Sequence, residues 1–230
     1  MWELDAVDAG LGAAFTMSYS LDKTDFPYVD LPSLGLSVGL FPVCKVQYEY
    51  FLGDPSGPAP DWYSSVLEVN PRRSWRQPDD ERWPELFLTG VRADEGEAFA
   101  RWLGAGHRLP TGAEWRAIDK DLANQAVGTQ LGGLIKSERI HPAARSVCRW
   151  IVGNRRPQTL RAAGLFDVGV LEWVRLAAGG YGLYGRPDPK LYRILLNPGI
   201  HDPIRPRSND RHRAFGFRLV RPLPQATGRP

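Results

Sequence analysis

Few side chains in this sequence could perform covalent or metal chemistry. The two cysteines, Cys44 and Cys148, lie neither in a Cys-x-x-Cys pair nor beside a histidine at metal-ligand spacing. We therefore expect both to be buried small hydrophobic residues rather than reactive thiols. The four histidines are scattered along the chain, so we expect surface or core roles for them and no metal site. They are His107, His141, His201 and His212.

Acidic residues and known catalytic motifs indicate no active site either. The acids from Asp79 to Glu81 lie in a proline-rich stretch and are explained as a solvated turn, while Asp94 and Glu95 suit the N-terminus of a helix. The sequence contains no Gly-x-Ser-x-Gly, no His-Glu-x-x-His and no phosphate-binding glycine loop. No constellation requires catalysis to explain it, so we expect a chain that is not an enzyme and has no cofactor.

The elements that must position these side chains are organised around a helix start at the middle of the chain. Leu109 precedes a proline and is therefore extended, and Thr111 then lies three residues before Glu114, which is the spacing of a capping box. The helix that follows has one apolar face at spacings of three and four, formed by Trp115, Ile118 and Leu122.

The other elements are predicted from hydrophobic spacing. Two short strands are expected near residues 28–30 and 34–38, a helix from Val46, a second helix over about 94–103, and the central helix to about 122. The stretch 53–84 is rich in proline and tryptophan, which predicts a long ordered loop. After a glycine-broken stretch at 128–133 we find no helical period and predict strands at 165–168, 171–175, 192–196 and 214–220.

Composition predicts a folded chain outside the membrane. The sequence has 230 residues, of which 43% are hydrophobic and 11% aromatic, enough for a sizeable core. We expect one domain over residues 1–222 and a short tail over 223–230. No run of eighteen apolar residues occurs, and the chain opens with acids where a signal peptide has bases. We therefore expect a cytoplasmic protein without a membrane partner.

The charge of the chain is small but unevenly distributed. The formal net charge is +3, which is too low to indicate nucleic-acid binding by the whole chain. Seven arginines nevertheless fall in the last thirty residues: Arg205, Arg207, Arg211, Arg213, Arg218, Arg221 and Arg229. Because the arginine fork suits carboxylates and backbone carbonyls as well as phosphates, an interface with a protein and an internal polar network are both open explanations.

Several segments, taken in order, resemble the formylglycine-generating and sulfatase-modifying enzymes. Pro42 to Phe51 looks like the entry segment of that family, Val91 to Leu103 like its helix, and Arg108 to Trp115 like its Arg-Leu-Pro-Thr-x-x-Glu-Trp signature. Gly164 to Val174 resembles its Gly-Leu-Tyr-Asp-Met and Glu-Trp-Val segments, and Gly216 to Arg221 its closing strand. The resemblance implies an α+β fold of C-type lectin-like type, with two main helices, short antiparallel strands and extensive irregular loops.

The departures from that family bear on function. The family's copper-dependent oxidation needs two cysteines just before the closing strand, and here the last cysteine is Cys148. Its iron-dependent branch needs a histidine cluster, which the spacing of the histidines does not provide. The family often carries a structural calcium near its Glu-Trp segment, and the corresponding run before Glu172 is two residues shorter and lacks the asparagine. The resemblance therefore implies a scaffold without the family's chemistry.

We accordingly predict a noncatalytic binding module whose binding face lies in the C-terminal loops, at about residues 175–214. Its partner is expected to be a protein ligand or a partner subunit, in a diversified binder akin to the target proteins of diversity-generating retroelements or in a bacterial defence or signalling complex. An enzyme with a different active site near Trp173 is the second hypothesis, and nucleic-acid binding by the arginine-rich C-terminus is the third. The predicted ligand-binding residues are Tyr181, Tyr184, Arg186, Tyr192, Asn197, His201, Arg205, Arg207, Asn209, Asp210, Arg211 and His212.

Overall fold

The protein folds as a mixture of α-helices and two small β-sheets. The computed structural model describes residues 18–58, 64, 66, 86–127, 130–166, 169–186, 205–206 and 211–223. An α+β class is thus as expected from the sequence. None of the helices in these ranges is both long and apolar enough to cross a lipid bilayer.

The first sheet has four antiparallel strands and joins the two ends of the described chain. It contains β1 (Tyr19–Leu21), β2 (Pro27–Leu31), β3 (Leu36–Gly39) and β7 (Val220–Pro222), in that spatial order. Val38 pairs with Val29 on one side and with Val220 on the other. These valines are buried, so the strand register follows the apolar residues.

The second sheet is smaller, and its strands come from the second half of the sequence. Its strands are β4 (Leu171–Arg175), β5 (Tyr181–Tyr184) and β6 (Phe215–Gly216), in the order β5-β4-β6. The β4–β5 pair is antiparallel and the β4–β6 pair is parallel. β4 is the central strand, which is why its side chains from Leu171 to Val174 are all buried.

Six α-helices occur in the described residues. They are α1 (Lys45–Gly53), α2 (Ala93–Leu103), α3 (Gly112–Ala123), α4 (Gln130–Lys136), α5 (Pro142–Trp150) and α6 (Leu160–Ala163), with a π-helical turn at Ile151–Arg155 after α5. The start of α3 is the predicted capping box: the Thr111 hydroxyl accepts from the N–H of Glu114 at 3.1 Å, and the Glu114 carboxylate accepts from the N–H of Thr111 at 2.8 Å. The predicted apolar face of Trp115, Ile118 and Leu122 is buried.

The helices and strands predicted for the described first half of the chain are confirmed, and those predicted for the second half are partly wrong. The strands at 28–30 and 34–38 and the helices α1, α2 and α3 were all expected. The expectation of no helix beyond residue 128 is wrong, because α4, α5 and α6 lie there. Leu165 and Phe166 form a turn rather than a strand, and the strand predicted at 214–220 is two short strands separated by residues 217–219.

Two predicted segments fall largely outside the described residues. Most of the stretch 53–84 and the strand at 192–196 belong to this group, as does most of the tail from residue 223 onward. Both cysteines are buried and free, as predicted.

A buried ion pair between Glu172 and Arg218 joins the two sheets to the central helix. Both side chains are 1% exposed, and the guanidinium Nη2 donates to Glu172 Oε1 at 2.8 Å. The other oxygen of Glu172 accepts from the indole N–H of Trp115 at 2.9 Å. The guanidinium also donates to the carbonyls of Gly39, Leu40 and Gly164, at 2.9, 2.7 and 2.6 Å.

The carboxylate and the guanidinium thus find their hydrogen-bond partners within the protein, without solvent, as a buried ion pair requires. The guanidinium carbon also lies 3.7 Å from the ring centroid of Phe166. Three segments distant in sequence therefore meet at one arginine, which makes the base of the second sheet rigid.

Candidate binding surface

The β4–β5 hairpin forms the exposed edge of the second sheet. Its turn is closed by the N–H of Leu176 donating to the carbonyl of Gly180 and by the N–H of Gly179 donating to that of Leu176, both at 3.0 Å. Residues 177–181 are exposed. Tyr181 pairs across the hairpin with Arg175 and is 38% exposed, so its ring projects from a firmly held strand end.

Arg175 lies at the same edge and is held by a helix. Its Nε and Nη2 donate to the two oxygens of Glu97 in α2, both at 2.6 Å. The Glu97 side chain is 7% exposed and that of Arg175 is 43% exposed, so the carboxylate is covered by the cation. The hydrogen bonds that Arg175 donates to Glu97 raise the pKa of Arg175. The N–H of Arg175 donates to the carbonyl of Pro110 at 2.9 Å, which ties the hairpin to the start of α3.

Tyr184 lies in the core rather than on this surface. It is 5% exposed, and its ring stacks on Trp115 with centroids 5.4 Å apart. Gly112 permits this position, because a Cβ atom built there lies 3.0 Å from Cε2 of Tyr184. Of the two tyrosines that the sequence predicts for ligand contact in this hairpin, only Tyr181 offers an accessible ring.

Arg211 is engaged by the protein itself. Its Nη1 donates to the carbonyl of Gly90 at 2.9 Å and to Oε2 of Glu95 at 2.7 Å, and its Nη2 donates to the other oxygen of Glu95. The Glu95 carboxylate also accepts from the N–H of Arg92 at 2.8 Å, at the start of α2. Glu95 therefore caps the N-terminus of α2, as predicted, and also binds Arg211, which holds the C-terminal segment against that helix.

His212 is likewise partly occupied by internal contacts. Its Nδ1 accepts from the N–H of Ala214 at 3.2 Å, and its ring packs on Phe215 with centroids 5.2 Å apart. Burial lowers the pKa of His212, and the neighbouring charge of Arg213 lowers it further. The ring is therefore neutral at pH 7, and its contacts with Ala214 and Phe215 stabilise the start of β6.

Three arginines are exposed among the residues that the structure describes after β5. Arg186 follows β5, and its carbonyl accepts from the N–H of Gly169 at 2.9 Å. The chain turns there at Gly185, whose φ of +117° no other residue adopts readily. Arg205 and Arg213 are the other two. The structure thus leaves Tyr181, Arg186 and Arg205 accessible among the predicted binding residues that it describes.

The remaining predicted binding residues fall outside the described part of the chain. They are Tyr192, Asn197, His201, Arg207, Asn209 and Asp210.

Three of the five C-terminal arginines that the structure describes belong to an internal polar network. Arg218 is buried with Glu172, and Arg211 is paired with Glu95. Arg221 donates to the hydroxyl of Ser20 at 2.8 Å, and its guanidinium lies 4.8 Å from the ring centroid of Tyr28. Since these three guanidinium groups have protein partners, they are not free to contact phosphates. Of the two explanations left open by composition, the internal network accounts for these residues.

The residues considered for covalent or metal chemistry are placed in structural roles. Burial raises the pKa of Cys148 to about 12 and that of Cys44 still further, so both thiols stay protonated at pH 7. His141 accepts from the N–H of Ala143 at 3.1 Å and begins α5, and His107 contacts the carbonyl of Gly104. Among the residues described, no three His, Cys, Asp or Glu side chains gather as a metal site would require.

The site of the second hypothesis is closed where the structure describes it. The indole N–H of Trp173 donates to the carbonyl of Val91 at 2.7 Å, and the ring is 2% exposed. Glu172, which corresponds to the segment near which the resembled family often carries calcium, has both oxygens engaged by Arg218 and Trp115. Neither side chain is available to a ligand in this arrangement.

The ion pair between Glu97 and Arg175 was not predicted from the sequence. The two residues lie 78 positions apart and no local spacing links them. The only sequence signal was the position of Glu97 on α2, one residue from its apolar face.

No protein-family model matches the sequence, and no curated protein matches it either.

Proposed function

We propose that this chain is a noncatalytic binding module on a C-type lectin-like scaffold, and that its C-terminal loops bind another protein. The α+β arrangement and the ordered segments that resemble the formylglycine-generating enzymes support the scaffold. The protonated thiols of Cys44 and Cys148 support the absence of that family's oxidation. Cytoplasmic placement, in a defence or signalling complex or as a diversified binder, is part of the same proposal.

One observation carries the proposal: in the described C-terminal segments, the exposed aromatic and charged residues are one tyrosine and three arginines. Tyr181 lies at the hairpin edge beside Arg175, and Arg186, Arg205 and Arg213 are exposed. No Asp or Glu occurs within residues 175–186, 205–206 or 211–223. Tyrosine and arginine are the residues that contribute most at protein interfaces, because each presents a large contact at low entropic cost.

The charge of this surface also selects its partner. Exposed arginines and an exposed tyrosine ring complement an acidic protein surface that also carries apolar groups. The rigid base formed by Glu172 and Arg218 means that the hairpin loses little conformational freedom on binding, which favours affinity. The partner of the module is therefore a protein with a patch of Asp and Glu side chains.

The test is a comparison of surface variants in a pull-down from the native cell extract. Tyr181→Ala and Arg186→Glu should each release a partner that the wild-type protein retains. Tyr19→Ala is the matched control, since Tyr19 is 41% exposed but lies on β1 in the other sheet. The extract is treated with nuclease in a parallel arm.

Three outcomes are distinguishable. Loss of one protein with both C-terminal variants, but not with Tyr19→Ala, is the expected result. An unchanged set of captured proteins with all variants would refute the binding face. Capture that disappears with nuclease would instead assign the surface to nucleic acid.

A further inference from the structure

A groove lies between α4 and the segment that follows α5. It has a volume of about 680 Å³ and is lined by Val127, Leu131, Gly132, Gly133, Lys136, Val152, Arg156, Pro157 and Gln158. Its wall is held by the N–H of Val127, which donates to the carbonyl of Gln158 at 3.1 Å. None of these residues belongs to the C-terminal binding surface, so this groove is independent of the proposed function.

The lining is apolar and bordered by cations. Val127 and Leu131 are buried beneath it, and Val152 contributes an exposed apolar side chain. Lys136 and Arg156 are exposed, and neither has an ion-pair partner among the described residues. No acidic residue lines the groove. An occupant that matches it must therefore carry apolar side chains and carboxylates together.

Arg156 has a backbone conformation that is unusual for a residue with a side chain. Its φ of +45° and ψ of 54° are left-handed, a conformation that costs roughly 1–2 kcal/mol for a residue with a Cβ atom. Glycine would adopt it without that cost. The residue also closes the π-helical turn, since its N–H donates to the carbonyl of Ile151 at 3.2 Å. Strained residues and π-helical turns are both concentrated at functional sites.

The Gly132–Gly133 pair keeps the groove open. A Cβ atom built on either glycine meets no atom within 4 Å. Glycine disfavours a helix, and α4 carries two in succession although nothing in the fold requires the space beside them. The pair therefore leaves room for something outside the fold.

We propose that this groove binds an acidic segment of a partner protein, with apolar side chains in the groove and carboxylates on Lys136 and Arg156. The open shape suits a peptide, because a small ligand is held in a cavity that surrounds most of its surface. The positive border provides the recognition of charge. The groove is thus a second contact site, separate from the C-terminal loops.

The test uses a short acetylated and amidated peptide in which leucine and glutamate alternate, labelled with fluorescein, and measures fluorescence anisotropy. The wild-type protein should bind it saturably at submillimolar concentration. Arg156→Gly should weaken binding about fivefold, the effect of one exposed ion pair, while the fold is retained because glycine relieves the left-handed strain. Gly132→Leu should weaken binding at least tenfold, because the leucine fills the groove and favours the helix.

Two controls test whether the peptide binds in the groove itself and through its carboxylates. Gly153→Leu changes a glycine that also has no atom within 4 Å of its Cβ position but does not line the groove, so its affinity should equal that of wild type. The same peptide with glutamine in place of glutamate should bind at least fivefold more weakly.

Three results would overturn the proposal. They are equal binding of the two peptides, wild-type affinity in Gly132→Leu, and no saturable binding by the wild-type protein. Displacement of the peptide by a DNA duplex would reassign the groove to phosphates.

Discussion

Replacement of Arg218 by methionine should be the most destabilising single change at the base of the binding surface. The guanidinium is 1% exposed and provides the positive charge beside the equally buried carboxylate of Glu172. Methionine keeps the length and much of the packing on Phe166 but removes the charge and every donor. The Arg218→Met variant would thus hold a buried carboxylate with only the indole N–H of Trp115 as partner.

The magnitude follows from the burial of both groups. Removal of one partner of a buried ion pair costs about 3–5 kcal/mol, because the other charge is left uncompensated. The carbonyls of Gly39, Leu40 and Gly164 also lose their donor. We expect a loss of about 4 kcal/mol in the free energy of unfolding, a large part of the 5–15 kcal/mol that is typical of a domain.

The assay is urea unfolding followed by tryptophan fluorescence, with Arg108→Met as the matched control. Arg108 also pairs with a glutamate through two nitrogens, both at 2.7 Å from Glu114, but the side chains are 27% and 26% exposed. Solvent screens this pair, so its loss should cost about 1 kcal/mol or less. The double variant Glu172→Gln with Arg218→Met should be more stable than Arg218→Met alone. Equal losses in the two single variants would refute the reasoning.

Two further predictions concern packing and pH. Gly112→Ala should lower the free energy of unfolding by about 1–2 kcal/mol, because the new methyl group would lie 3.0 Å from the ring of Tyr184. Gly132→Ala should raise the free energy of unfolding by up to about 1 kcal/mol, because alanine favours a helix and its methyl group meets no atom within 4 Å. Urea titration of both variants checks these changes. Thermal stability should fall as the pH drops below about 6.5, because burial lowers the pKa of His107 and His141 in the folded state and the unfolded chain then binds protons first. A melting temperature that stays constant between about pH 7 and pH 5 would contradict this.

The sequence predicted those helices whose ends are set by contacts between residues close together in the chain. The capping box at Thr111 combines a proline, a hydroxyl and a carboxylate within six residues, so its helix could be assigned from the sequence. The helix α5 was missed although Pro142 stands at its first position and its buried residues Ala143, Ala144, Val147 and Cys148 recur at helical spacing, so the sequence did carry a signal for it. α4 was missed because a glycine pair is normally a break signal, and tertiary packing of Leu131 and Leu134 overrides it.

The candidate surface could be predicted only in part. Composition pointed to tyrosine and arginine in the C-terminal loops, but it did not distinguish an exposed Tyr181 from a buried Tyr184 three residues later. The alternation of a strand gives each residue a face, yet which face meets the core depends on partners far away in sequence. The ion pair of Arg211 with Glu95 spans 116 residues, and no local pattern encodes such a contact.

The position of β7 has a consequence for how the chain folds. It supplies the outer neighbour of β3, and Arg218 just before it reaches the carbonyl of Gly39 across 179 residues. During synthesis the edge of β3 therefore stays unpaired until β7 has left the ribosome. Contacts of such long sequence separation make folding slow, and an open strand edge invites pairing with other chains. Nascent chains of this protein should accordingly depend on protection from aggregation until β7 pairs with β3.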